Sequence, residues 1–363
     1  MRLEVPKMTA VDDKVGLGTL EDALEVARRK IEVDDAELDE ARSRRGKLAS
    51  ALKDQFPGSR TFVNGSIAHG DALTPLTDLD LGLVIPDPDH KYGPGLDGPL
   101  DLQKHAASII VAELGPDYPR LTVDYVDRKR SVLVKFGDPV TPGQPDFTAD
   151  VIVALDNPSG RGLFIPKHDT WDRSDPESHT AMIREANRSS LYSFAKIVRL
   201  LKHWNRQNDK AICSWNIKAL ALGCLGEPRS LLEALSAWFD HAEAQFARGE
   251  TPDPAGVAAE PIHVPDGWTL TEVRDHLRMA NLALKYSIQL EQEGYPVLAL
   301  DELAGFFSDD DMLARPREEK AMAEQAARLR GTDTRRPGSA PAISAPLSTV
   351  AFAPRIDVRS WSV

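Results

Sequence analysis

"FVNGSIAHGDALTPLTDLDLGLVIPD", residues Phe62 to Asp87, is the stretch on which the reading of the fold turns. Its second half alternates. Leu79, Leu81 and Leu83 leave one face of an extended chain, and Asp78 and Asp80 leave the other. Two carboxylates that close repel each other, so the pair calls for a cation or a shared proton. Hard divalent cations such as Mg2+ prefer oxygen ligands and leave positions for phosphate oxygens and water. Upstream, Gly65 and Ser66 end a short β-like run, "TFVNGS". A glycine lets a phosphate approach the backbone, and a serine hydroxyl with nearby N–H groups holds its oxygens. A bare D-x-D also reads as a solvated strand end. The Gly-Ser pair is what shifts the reading toward a site.

A third carboxylate stands further along, in "FTADVIVAL". Asp150 opens this apolar strand, where a buried carboxylate without a partner is costly. Asp146 lies close by, but Asp150 directly precedes the apolar run and is the preferred candidate. Three carboxylates converging beside a phosphate loop make a two-metal site, with ions roughly 3.5–4 Å apart clamping the attacking and leaving oxygens.

Around these motifs the chain divides in two. Leu20 to Leu52 reads as one long helix or two abutting ones, and "DQFPGSR" breaks it. "TFVNGS" and "DLDLGLVIPD" read as strands around an irregular turn. "PDPDHKYGPGLDGPL" is a loop, "LDLQKHAASIIVAELG" an amphipathic helix, and "LTVDYVDRKRSVLVKFG" a hairpin. After "DNPSGRGLFIPKHDTWDRSDPESH" the pattern turns helical, with Leu191, Phe194, Val198 and Leu201 on one stripe. Helices continue to about Arg330, interrupted by "RGETPDPAGVAAEPIHVPDGW". The expectation is a mixed α/β half, a helical half, and a cleft between them. A Thr/Arg/Pro/Ser/Ala-rich tail from Gly331 reads as flexible.

The order of these motifs resembles a known family. "NGS", then "TDLDLGLV", then "DVIVAL" is similar to the nucleotidyltransferase core shared by DNA polymerase beta, CCA-adding enzymes and oligoadenylate synthase. "GLFIPKHDTWDRSDPESH", "NRSSLYSFAKIVRLLKHWNRQ" and "ICSWNIKALAL" resemble the bacterial cGAS/DncV-like nucleotidyltransferases, the oligonucleotide cyclases of anti-phage (CBASS) signalling. The similarity runs from about Leu20 to Leu222, and more weakly to about Leu303. It implies an α/β (α+β) fold: a polymerase beta-like core with a mixed sheet in residues 1–165, a helical domain completing the nucleotide cleft in 166–330, and a flexible tail in 331–363. It implies two Mg2+ ions, or Mn2+, on Asp78, Asp80 and Asp150. It also implies a donor triphosphate held by Gly65, Ser66, Lys202 and Ser214, with a base stacked on Trp215.

The residues temper this in places. Lys202 sits beside the apolar stripe of its helix and reads as a phosphate binder or a snorkelling lysine. Trp215 reads as a stacking platform or as core. Asp71 stands where relatives often carry a hydroxyl or small residue. His69 reads as a solvated loop histidine before a phosphate contact, and Arg128, Lys129 and Arg130 as a solvated hairpin before a binding site.

Composition bounds the function. The net charge is −12 over 363 residues, with 42% hydrophobic and 28% charged residues. That balance disfavours a long nucleic acid, which calls for a basic face, and favours small anionic ligands bound with cations. The two cysteines, Cys213 and Cys224, make neither a disulfide framework nor a zinc set, and read as core. That cysteine usage makes a reducing cytoplasm the default compartment. No apolar run of signal-peptide or membrane-spanning length occurs, and a monomer is taken as the default state. The expected activity is nucleotidyl transfer between ribonucleoside triphosphates, closing a cyclic di- or trinucleotide that acts on a downstream effector. Alternatives are transfer to a tRNA end or a protein, and a catalytically silent nucleotide-binding module.

Overall fold

In the computed structural model the described residues are 19–331, apart from 88, 90, 94–97, 127 and 142. The expected tail and part of the Pro/Gly-rich loop after Asp87 lie outside them. The N-terminal helical run is two helices, α1 (Leu20–Lys30) and α2 (Asp35–Gln55). Thr19 and Asp22 form a capping box on α1, and Asp34 caps α2. The break is made by tertiary pairing. Glu32 bridges Leu73, and Thr74 N–H donates to Ile31 O.

The chain continues through β1 (Arg60–Phe62), α3 (Gly65–His69), β2 (Asp78–Ile85), α4 (Gly98–Leu114), β3 (Thr122–Asp124), β4 (Val132–Lys135) and β5 (Thr148–Asp156). The sheet order is β1-β2-β5-β4-β3. β2 and β5 are parallel, while β1–β2, β3–β4 and β4–β5 are antiparallel. The expected hairpin is therefore β3–β4. A further hairpin, β6 (Leu163–Lys167) and β7 (Thr170–Ser174), pairs with β5 through β6. The sheet thus runs on to Ser174. The helical part follows: α5 (Pro176–Ser189), α6 (Ser193–Gln207), α7 (Ser214–Leu222), α8 (Leu231–Phe246), α9 (Leu270–Gln292), α10 (Pro296–Phe307) and α11 (Glu318–Arg330). None of the described helices is long and apolar enough to cross a membrane.

Two large apolar cores form. One packs α2 and α4 on the sheet, around Leu48, Leu79, Leu83, Ile110 and Val151. The other joins α1 to α6–α10, around Leu24, Trp204, Trp238 and Phe239. The two abutting helices therefore serve different bodies. On the opposite face of the sheet, Phe62, Val84, Ala154, Leu163 and Ile165 form a small third cluster. The Phe62 ring lies over Gly82, where a Cβ would overlap it. Asp78 and Asp80 share that face, at the end where the apolar cover stops.

Candidate active site

The parallel ladder sets the carboxylates. Asp80 is in register with Asp150, and Asp78 with Thr148. Neighbouring strands are about 4.8 Å apart, so Asp80 and Asp150 project side by side with Asp78 two residues away. All three are half-buried. Burial pushes Asp80 up to about 7, with Asp78 and then Asp150 adding to the shift. Asp78 is raised by burial as well, and Lys202 is the strongest charge opposing that rise.

Gly65 opens α3 with φ +80°. A Cβ there would lie 2.8 Å from Asp80 Cβ and overlap the Asp80 carboxylate. The close approach this glycine permits is thus made by Asp80. "GSIAH" forms a short helix where an irregular turn was expected. Ser66 O accepts the backbone N–H of Asp71, and Gly70 closes the helix in the left-handed region.

Asp150 Oδ1 accepts from Arg128 Nη2 at 2.8 Å and from Ser131 Oγ at 2.7 Å. The basic cluster is therefore not the solvated hairpin expected. Arg130 pairs with Asp172 at 2.7 Å, and Lys129 O accepts from His168 N–H. Asp146 lies in the turn before β5 and accepts from Asp138 N–H. Among the described residues, no group of three or more His, Cys, Asp or Glu side chains is close enough to share a metal ion.

The segment after α3 is gripped by the helical body. His69 O accepts from Asn187, Gly70 O and Ala72 O from Arg199, and Asp71 O from Lys202. Four consecutive carbonyls are each met by a side chain from α5 or α6. The side chains are held too. Asp71 Oδ1 lies 2.8 Å from Lys202 Nζ, and Oδ2 lies 3.0 Å from Lys218 Nζ. Lys218 Nζ also lies 2.9 Å from His69 Nδ1, whose Nε2 meets Thr180 Oγ1 at 3.1 Å. His69, expected in solvent, is 2% exposed. Burial, then Lys218, push it down to about 3, so it is neutral. Its Nδ1 accepts from Lys218 and its Nε2–H donates to Thr180. Burial works to raise the Asp71 carboxyl, but Lys202 and Lys218 outweigh it and hold it at about 2.

Ser214 opens α7 and is exposed. Trp215 is half-buried, against the helical core and 4.4 Å from the His179 ring. His179 Nε2 in turn lies 2.6 Å from Asp253 Oδ1 in the Pro/Gly-rich insertion. Lys218, Arg128, Ser131 and Asp253 were not singled out as contributors to the site. Lys218 leaves no periodic signal, because Asn216 to Ala221 are all buried and α7 has no polar face to contrast with it. The others depend on loop placement.

No protein-family model matches the chain. It is 28% identical over 183 residues to the cyclic AMP-AMP-AMP synthase of Escherichia coli (strain MS 115-1), a match covering 49% of this chain and 52% of that protein. The chain thus spans about half the length of the curated relative it matches. Among solved structures, E. coli MS115-1 CdnC in complex with HORMA-deltaN superposes with TM-score 0.61 at 18% identity, covering 81% of this chain and 98% of that one. CdnG of Bradyrhizobium diazoefficiens, a CD-NTase in complex with GTP, gives TM-score 0.57 at 14% identity, covering 85% and 99%.

Proposed function

We propose that this chain, which carries the fold of the bacterial cGAS/DncV-like nucleotidyltransferases, joins ribonucleoside triphosphates into a cyclic di- or trinucleotide. The observation that carries this reading is the row of Asp78, Asp80 and Asp150 on parallel β2 and β5, packed beside Gly65. A half-buried carboxylate pushed up by burial and then by two like charges fits a divalent cation. Asp78 and Asp80 would hold Mg2+ or Mn2+, with Asp150 joining once its oxygen is shared with or released from Arg128 and Ser131. The bound ions supply charge neutralisation at the phosphates and a lowered pKa for the acceptor hydroxyl.

The protein's own groups do the rest. Ser66 and the backbone beside it hold donor phosphate oxygens. Lys202 and Ser214 contact the triphosphate from the helical side, and Trp215, backed by His179, presents a face to a base. These contacts fix the donor's α-phosphorus for in-line approach of the acceptor hydroxyl, so positioning contributes much of the rate. The relative's name supports ATP as the first substrate to test and a trinucleotide as the first product to seek. The same reading places the protein in the cytoplasm as a monomer, in anti-phage signalling, with an effector responding to its product.

Purified protein incubated with labelled ATP, GTP, CTP and UTP plus Mg2+ or Mn2+ tests the reading. A phosphatase-resistant small product, absent with Asp80→Asn, is expected. Label carried on tRNA or protein would overturn it.

A further inference from the structure

Asp71 has no exposed surface, yet it carries a charge and sits between two lysines. Its backbone is committed as well. Its N–H donates to Ser66 O at 3.0 Å, and its carbonyl accepts from Lys202 Nζ at 2.9 Å. One residue thus ties the Gly65–Ser66 turn to α6 through Lys202 and to α7 through Lys218. Burying three charges together stabilises little, because desolvation offsets most of the Coulomb attraction. What such an arrangement fixes is position.

The donors show which position. An ammonium has three N–H groups. Lys202 gives one to Asp71 Oδ1 and one to Asp71 O, and keeps one. Lys218 likewise uses two, on Asp71 Oδ2 and His69 Nδ1, but it is buried, whereas Lys202 is partly exposed. The lysine with a donor open to a ligand is therefore the one whose ammonium Asp71 grips twice.

We propose that Asp71 and Lys218 are positioning residues. Asp71 holds the Lys202 ammonium in place with its remaining N–H directed to an oxygen of a nucleoside triphosphate, and Lys218 balances Asp71 and locks it to His69. This rests on the reading that the site binds nucleoside triphosphates.

The test uses the full chain and ATP with Mg2+, reading the dissociation constant by titration calorimetry, and KM and kcat by pyrophosphate release. Asp71→Asn weakens ATP binding and raises KM about tenfold while kcat changes by less than about threefold. Lys202→Met weakens binding comparably, and Asp71→Asn/Lys202→Met is no weaker than Lys202→Met alone, because both act through one ammonium. Should Asp71→Asn fail to fold, Asp71→Asn/Lys218→Met replaces it. Two lysines and one aspartate carry +1, and the lone remaining lysine carries the same. ATP binding within about twofold of wild type in either folded variant overturns the proposal, as do losses from Asp71→Asn and Lys202→Met that multiply. Wild-type protein that binds none of the four triphosphates removes the functional reading and this proposal together. Wild type that binds ATP while the variants match it removes this proposal alone.

Discussion

Gly65→Ala is the sharpest probe of the carboxylate row. The backbone at Gly65 has φ +80°, and a left-handed residue with a Cβ costs roughly 1–2 kcal/mol. The new Cβ would also lie 2.8 Å from Asp80 Cβ and overlap the Asp80 carboxylate. All three nearest atoms belong to the Asp80 side chain, so that side chain must rotate, at about 0.5–1.5 kcal/mol for an off-rotamer position. The sum is about 1.5–3.5 kcal/mol of stability, or a fall in Tm of roughly 2–5 °C for a cooperative unit of this size. The effect on turnover should be larger, because a catalytic group displaced by about 1 Å costs on the order of 10²-fold. Urea denaturation gives the first quantity and product formation at saturating nucleotide the second. A Gly65→Ala protein with an unchanged denaturation midpoint and turnover within about threefold of wild type would refute the reasoning, since neither the backbone nor Asp80 would then depend on that glycine.

His69 is neutral when folded, with its pKa pushed down to about 3 by burial and then Lys218, and it titrates near 6.5 when unfolded. The unfolded chain therefore binds the extra proton between those values, so stability falls as pH drops from about 6.5 toward 3, by up to about 1.4 kcal/mol per pH unit. His69→Gln should flatten that slope in denaturation curves between pH 6.5 and 4, and an unchanged slope would count against the buried neutral ring. Gly82→Ala should destabilise by about 1–3 kcal/mol through overlap with the Phe62 ring, and Phe62→Leu in the same chain should recover part of it; simple additivity would show that the ring is not what the methyl meets. Trp215→Ala should weaken nucleotide binding by about 1–3 kcal/mol while Trp215→Phe keeps most of it, and equal binding by both variants and wild type would assign Trp215 to packing alone.

What could be read in advance follows from period. The alternation in "DLDLGLV" identified β2 and its carboxylate face, the apolar run after Asp150 identified β5, and the stripe of Leu191, Phe194, Val198 and Leu201 identified α6, although Leu191 lies ahead of the helix and is exposed. What escaped notice depends on contacts distant in sequence. The N-terminal run was read as one long helix or two abutting ones, and pairing of Ile31 and Glu32 with Thr74 and Leu73 decides for two. β6 and β7 were hidden in a stretch dense in Pro, Gly and Asp, because the strands are short and their turn places His168 at φ 55°. His69 resembled a loop residue since its partners, Lys218 and Thr180, lie more than a hundred positions away. Arg128 resembled a solvated hairpin residue for the same reason: Asp150 comes to it only when β4 pairs with β5.

The four gripped carbonyls from His69 to Ala72 bear on how the molecule comes apart. Asn187, Arg199 and Lys202 read backbone oxygen, which any sequence supplies, so the seam between the bodies tolerates side-chain drift while its register stays fixed. Freeing the helical body from the sheet means exposing those oxygens and the Asp71 ion pairs in one step. The two cores should therefore melt as a single calorimetric unit, with enthalpy scaled to the whole described chain.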